Sequence, residues 1–299
     1  MSLTVVGSVA LDTVETPMGK NIEGLGGSAV YFSLSAQHFT PVHLVGVVGE
    51  DFPQEHVELL GSRRINLDGL ERVPGRTFRW SGRYHADVNF RDTLDTQLNV
   101  FESFHPKLPA AAQANQFLFL GNIHPALQME VLNQTRHKFV ALDSMNLWIE
   151  IALDDLKKVL AKVDCIILND SEAKLLTGES NLRKAARAIR ELGPGIIVIK
   201  KGEHGAMLFA EHNEVFSMPA LPLEEVVDPT GAGDSFAGGF MGYLAHLGAT
   251  DVGALRAAMV YGSACASHTC EAFGPDRLSE IERQHIDARV RQFRELTAF

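Results

Sequence analysis

Short, continuously apolar runs alternate with amphipathic segments along almost the whole chain. This alternation restricts the fold more than any other feature of the sequence. Apolar runs at 3–9, 42–48, 116–120, 139–142, 165–168, 196–200 and 206–209 are rich in Val, Ile, Leu and Phe and predict strands covered on both sides. Segments at 28–38, 54–62, 128–136, 148–161, 171–176, 182–192, 231–247, 252–266 and 279–296 have helical periodicity. Apolar strands separated by helices predict an α/β fold, with a mostly parallel central sheet and helices on both faces. The 299 residues suffice for one large domain, and no internal repeat or long polar linker divides them.

One region departs from this rhythm. From 76 to 101 the pattern has period two. Phe78, Trp80 and Tyr84 share one face, and Arg79, Ser81, Arg83 and His85 share the other, as in a half-exposed antiparallel strand. Residues 86–88 would form the turn, with 89–93 and 96–101 returning. A small β appendage on an α/β core serves as a lid that moves over a cleft or as a dimerisation surface, and the two are compatible.

Charge narrows the partners. The chain carries 27 Lys and Arg against 37 Asp and Glu, a net −10, which argues against nucleic acid and anionic lipid as partners. No apolar stretch reaches the roughly 18–20 residues of a membrane span, and the first residues lack the basic region of a signal peptide. Cys165, Cys265 and Cys270 have neither disulfide-framework nor zinc spacing. These features predict a cytoplasmic protein. A phosphate-bearing ligand would have to be held by local dipoles or a metal ion, because the overall charge repels anions.

The segment Asp228-Pro229-Thr230-Gly231-Ala232-Gly233-Asp234-Ser235-Phe236 supplies such a dipole. It precedes a helix whose apolar face includes Phe236, Phe240, Tyr243, Leu244 and Leu247. Gly231 and Gly233 allow a tight turn and let bare N–H groups approach a ligand. At a helix N-terminus, free donors and the positive end of the dipole bind anions. Asp234 falls in the first helical turn, where a carboxylate can take a proton from an attacking hydroxyl. Asp and Thr also serve as ordinary helix caps, but two glycines, two aspartates and the small run Ala237-Gly238-Gly239 exceed what a cap requires.

This segment resembles the C-terminal signature of the ribokinase-like, or PfkB, family of ATP-dependent carbohydrate and nucleoside kinases. Further stretches resemble the family in the same order. They are Val6-Gly7-Ser8-Val9-Ala10-Leu11-Asp12, Gly26-Gly27, Gly46-Val47-Val48-Gly49-Glu50-Asp51-Phe52, Asn169-Asp170-Ser171-Glu172 and Lys200-Lys201-Gly202-Glu203-His204-Gly205-Ala206. The resemblance implies a single kinase domain over 1–299 with lid segments near 13–23 and 76–103. It implies Asp234 as catalytic base, the amides of Gly231, Ala232 and Gly233 around the transferring phosphate, and Asp12, Gly26, Gly27 and Tyr31 on the acceptor. ATP would be held by Asn169, Glu172, Lys200, Gly202, Gly205, Thr230, Ala264 and Ser267. Mg²⁺ would be reached through water by Glu172 and Asn169, and a K⁺ ion would lie beside Asp228. The implied acceptor is the hydroxymethyl group of a sugar or ribonucleoside, and the implied assembly is a homodimer through the lid. A non-catalytic binding protein of the same fold is the alternative, which the intact Asp234 and glycine loop oppose.

Two departures lie on the acceptor side. Tyr31 stands where the family usually has Asn, and could stack on a ring or simply pack. Asp143-Ser144-Met145-Asn146 moves the Asn of the family's D-P-N turn by one residue. Both weaken an assignment to fructose, ribose or a sugar phosphate, and aromatic residues there would suit a nucleoside base. Gly24-x-Gly26-x-x-Ala29 fits a dinucleotide fingerprint in spacing only, since no buried strand precedes it. Among cations, Lys200-Lys201 reads as a solvated pair, whereas Arg79, Arg83 or Arg91 could reach the cleft if a lid folds over.

Overall fold

The computed structural model describes residues 1–211 and 214–298. Its main sheet contains β1 (Leu3–Val6), β4 (Val42–Gly49), β5 (Ile65–Val73), β8 (Phe117–Leu120), β9 (Phe139–Asp143), β10 (Cys165–Asn169), β11 (Ile196–Lys200), β12 (Ala206–Phe209) and β13 (Val215–Met218). A second sheet contains β2 (Ala10–Thr16), β3 (Gly19–Gly26), β6 (Phe78–Tyr84) and β7 (Arg91–Gln97).

The main sheet runs β13-β12-β11-β10-β9-β8-β1-β4-β5. Pairing is parallel from β11 through to β5, and only the β12 and β13 edge is antiparallel. Alternate strand residues feed two cores. Val5, Phe117 and Phe119 pack with the helices Ser28–Ala36, Ala232–Leu247 and Val252–Thr269 on one face. Val6, Leu118 and Leu120 pack with the helices Pro125–Gln134, Leu153–Leu160 and Leu182–Glu191 on the other. Both faces are thus apolar, which is why these strands read as unbroken hydrophobic runs.

The chain builds outward from β1 to β4 and β5, then returns on the other side from β8. Order therefore reverses between β1 and β8. In open α/β sheets, the crevice at the C-terminal ends beside such a reversal is where ligands bind.

The boundaries differ from the sequence-based expectation in four places. The run 3–9 ends as a main-sheet strand at Val6, and Ala10–Thr16 belongs to the second sheet. Asp12 is therefore on the small sheet, opposite Gly24 and Trp80, and not on the first core strand. The expected helix 148–161 breaks at Ala152 (φ −136°, ψ 31°), and Asp154 and Asp155 open its second segment, as helix N-termini favour. The expected helix 279–296 divides at Ile281, after which Glu282 and His285 form a capping box. In the small sheet, the return strand is Arg91–Gln97, shorter than expected because 99–103 turn into a 3₁₀ helix. Strands β5 and β13 carry mixed burial patterns that no apolar run announces.

Candidate active site

Three parallel strands end in polar residues at the same edge: β9 in Asp143, β10 in Asn169 and β11 in Lys200. The helix Ala232–Leu247 points its N-terminus at them. Gly231 precedes that helix in the left-handed region (φ 75°, ψ −1°), and the Tyr31 ring occupies the space a side chain at Gly231 would need. Only glycine serves both demands. Tyr31 itself is 2% exposed. Of the two roles left open for it, the structure favours packing: the ring supports the loop from beneath.

Asp228 ties the loop down. One carboxylate oxygen accepts from the Thr230 amide at 2.8 Å and the other from the Gly274 amide at 3.1 Å. The Ala232 amide is turned to the Pro229 carbonyl at 3.2 Å, whereas those of Gly231 and Gly233 have no backbone acceptor among the described residues. Of the three amides expected to cradle a phosphate, Ala232 is thus already used by the turn.

Asp234 stands in the first turn of the helix, and burial pushes its pKa up to about 7, with the nearby charge of Asp143 adding to the rise and Lys200 and Arg91 opposing it. Lys200 is not a solvated residue. Its side chain is 17% exposed, and its Nζ lies 3.7 Å from Asp143 Oδ2 and close against Gly233. The buried pair, the glycine loop and Asp234 therefore form one electrostatic unit.

Asn169 and Glu172 meet where β10 passes into the next helix. The Asn169 side chain accepts from the Glu172 amide at 2.8 Å, and Glu172 Oε2 accepts from the Asn169 amide at 2.7 Å. This capping box uses one oxygen of each side chain. Burial, with Asp143 beside it, raises the Glu172 pKa to about 7. Gly202 and Gly205 bound the turn after β11 with φ of 55° and 82°, and a side chain at Gly205 would strike the Met218 carbonyl.

Asp12 faces the opposite side of the crevice. Its carboxylate rests against Gly26, leaving no room for a side chain there. Burial raises its pKa to about 7 while the Gly27 amide draws it down. Gly27 (φ 97°) opens the helix Ser28–Ala36, and a side chain there would meet the Ser8 carbonyl. Ser8 and Ser28 exchange backbone-to-hydroxyl hydrogen bonds at 3.2 and 3.0 Å, which joins the segment between β1 and β2 to that helix.

Two expected ATP contacts are not brought to the site. Ala264 is fully buried in the core. The Ser267 hydroxyl donates to the Ala264 carbonyl at 2.8 Å and accepts from Arg289 at 2.6 Å, so it fastens the helix Val252–Thr269 to the last helix. Sequence reasoning also missed two participants. Asp143, which ends a parallel strand, was noted only as the start of the altered D-P-N turn and given no role. Tyr84 was noted only for its ring, yet its hydroxyl lies 3.2 Å from Thr230 Oγ1, joining the small sheet to the glycine loop.

No group of three or more His, Cys, Asp or Glu residues that could cage a metal occurs among the described residues. Among them, too, no helix is long and apolar enough to cross a membrane.

A glycine-rich helix start with a buried carboxylate beside it, on an α/β sheet with a second small sheet, defines a phosphotransferase class. The pattern of the pfkB family carbohydrate kinases matches residues 18–281. The chain belongs to that family and is a kinase. It is 32% identical over 247 residues to the cytidine kinase of Thermococcus kodakarensis, covering 81% of this chain and 87% of that one. The fold is similar to that of the Burkholderia thailandensis nucleoside kinase in complex with inosine, with TM-score 0.79 and 20% identity, over 99% of this chain and 98% of that one. It is also similar to the Thermotoga maritima ribokinase, with TM-score 0.78 and 21% identity, over 97% and 99%. The alternative of a non-catalytic binding protein finds no support in these likenesses.

Proposed function

We propose that the chain transfers the γ-phosphoryl group of MgATP to the hydroxymethyl group of a ribonucleoside. The similarity to a cytidine kinase across four fifths of the chain supports a nucleoside over a free sugar. The observation that carries the chemistry is the position of Asp234, in the first turn of a helix whose loop amides at Gly231 and Gly233 are unspent.

Asp234 accepts the proton of the attacking hydroxyl, for which a carboxyl pKa of about 7 is well matched. Gly231 and Gly233 hold the transferring oxygens with their N–H groups, and Lys200 adds charge beside Gly233. Asp12, seated on Gly26 and Gly27, accepts hydrogen bonds from the acceptor's hydroxyls. Thr230, Gly202 and Gly205 shape the nucleotide side.

The donor set suits Mg²⁺ held mainly by phosphates and water. Glu172 keeps one carboxylate oxygen outside its capping box, and hard oxygen donors in small number are what this ion takes beside a triphosphate. Bound there, Mg²⁺ neutralises phosphate charge. K⁺ is supported by Asp228, a fully buried carboxylate with no Lys or Arg ion pair among the described residues. A homodimer through the small sheet is supported by Ile22, Phe90, Met18 and Leu94 on its strands and turns, all at least 50% exposed.

The test is ADP release with MgATP against cytidine, inosine, ribose and fructose. Faster turnover with a ribonucleoside than with either sugar supports the reading, and a sugar preference overturns the nucleoside assignment. Turnover equal in K⁺ and Li⁺ removes the cation from Asp228, and a monomer by light scattering removes the dimer.

A further inference from the structure

Three arginines of the small sheet could meet a ligand, and two are tied down. Arg79 pairs with Glu23 at 2.8 Å and Asp51 at 2.9 Å. Arg83 pairs with Glu15 at 2.9 Å. Arg91 makes no ion pair within 4.0 Å among the described residues. It opens β7, directly across from Tyr84 in the register of β6 and β7. Its guanidinium lies 5.4 Å from the Trp80 ring centroid and faces the Tyr84 hydroxyl, which in turn reaches Thr230 of the glycine loop.

Arg91 is therefore carried by the small sheet, is itself exposed, and stands beside the residue that reaches the glycine loop. Its charge bears on Asp12, on Asp234 and on Glu172, drawing each carboxyl back against the effect of burial. Those residues stand on the acceptor side, at the centre and on the nucleotide side. The same hairpin touches the nucleotide turn, because the Asn89 side chain lies where a Cβ on Gly202 would sit. The crevice also lacks positive charge of its own. Asp12, Asp143, Glu172, Asp228 and Asp234 surround it, and the buried Lys200 is already paired with Asp143.

We propose that Arg91 is the cation delivered to the transferring phosphoryl group when the small sheet lies over the site. The proposal rests on the assignment of Asp234 as base. In the transfer step the acceptor oxygen forms a bond to the γ-phosphorus and the bond from that phosphorus to the bridging oxygen of ADP breaks. ADP leaves with the electron pair, and the hydroxyl proton goes to Asp234. Arg91 contacts the equatorial oxygens, where a planar fork of donors fits better than a point charge. Because the arginine arrives with the small sheet, the charge is complete only when water has been excluded, so transfer to the acceptor is favoured over hydrolysis.

The experiment compares wild type with R91A, R91K and R83A, using cytidine and ribose as acceptors. Calorimetry measures affinity for MgADP alone and for MgADP with aluminium fluoride and acceptor, and steady-state kinetics gives kcat and KM. R91A is expected to lower kcat by roughly 10³, the lower end of what arginines that stabilise phosphoryl transfer contribute, with the KM for ATP changed by less than about threefold. Affinity for the aluminium fluoride complex should fall by a similar factor while MgADP affinity holds. Added guanidinium ion should restore part of the kcat of R91A but none of that of D234N. R83A should match wild type throughout.

Unchanged kcat in R91A, an equal loss of MgADP affinity, or failure of guanidinium to restore any turnover would overturn the role of Arg91. A wild-type protein that binds neither complex and turns over neither acceptor would overturn the site assignment as well.

Discussion

The Tyr84 hydroxyl and Thr230 Oγ1 lie 3.2 Å apart and both are buried, so the small sheet is hydrogen-bonded to the glycine loop. Tyr84 belongs to β6 and Thr230 directly precedes Gly231. The small sheet and the glycine loop are therefore linked by this contact, beside the bond that the Thr16 hydroxyl donates to the Val227 carbonyl at 2.8 Å. Replacing Tyr84 by Phe keeps the ring and removes the contact. A net loss of about 0.5–1.5 kcal/mol is usual for one such bond, so folding should survive. The expected outcome is a rise of about three- to tenfold in the KM for acceptor, with a melting temperature close to wild type. A KM equal to wild type would show that the two elements are not functionally linked.

Acidity at the crevice should appear in the pH profile. Asp12 and Asp234 are both raised to about 7, mainly by burial. A base works only when ionised, and an acceptor-binding carboxylate likewise, so kcat/KM should fall as pH drops through about 7. The check is a profile from pH 5 to 9. Activity that stays flat down to pH 5 would contradict the assignment.

The same burial should cost stability. The folded pKa of Asp234 lies above the carboxylate value of 3.8, so the contribution from its neutral form is full below about pH 4 and lost as pH rises through about 7. Asparagine does not titrate. Asp234→Asn should therefore melt a few degrees above wild type at pH 8, given roughly 2–4 °C per kcal/mol for a chain of this class. The gap should close near pH 4. A variant less stable than wild type at pH 8 would mean that the pairing of Asp234 with Lys200 outweighs its desolvation.

Gly231 tests the loop itself. Its φ of 75° is strained for any residue with a Cβ, by about 1–2 kcal/mol, and the Tyr31 ring blocks the added carbon. Gly231→Ala should lower both the melting temperature and kcat. Gly178→Ala shares the positive φ of 72° but meets nothing within 4 Å, so it should lose stability and keep kcat. Equal kcat in the two variants would separate the loop from catalysis.

The parts of this site that the sequence reveals are those built from neighbours along the chain. Asp228 to Asp234 fold as one loop, so their arrangement follows from local turn and helix-start chemistry. Asn169 and Glu172 likewise meet three residues apart in a capping box. The central sheet was legible because two covered faces leave unbroken apolar runs. The rest depends on how distant segments dock. Nothing in Val6 to Asp12 announces that the strand leaves the main sheet after Val6. Lys200 looks like half of a surface pair until the fold sets it against Asp143 and Gly233. Ala264 and Ser267 matched by position alone: Ala264 packs into the apolar core, and the Ser267 hydroxyl accepts from Arg289. Arg91 differs from Arg79 and Arg83 only in which acids their strands bring near.

The central claim is transfer of phosphate from ATP to a ribonucleoside hydroxymethyl group with Asp234 as base. Its most direct test is the product itself, formed from MgATP and cytidine and identified by mass and by ³¹P NMR, with wild type and Asp234→Asn side by side. The account predicts a 5′-monophosphate in equal amount to ADP, formed about 10²–10⁴ times more slowly by the variant. No phosphorylated product from cytidine, inosine or ribose, or an undiminished rate in Asp234→Asn, would contradict it.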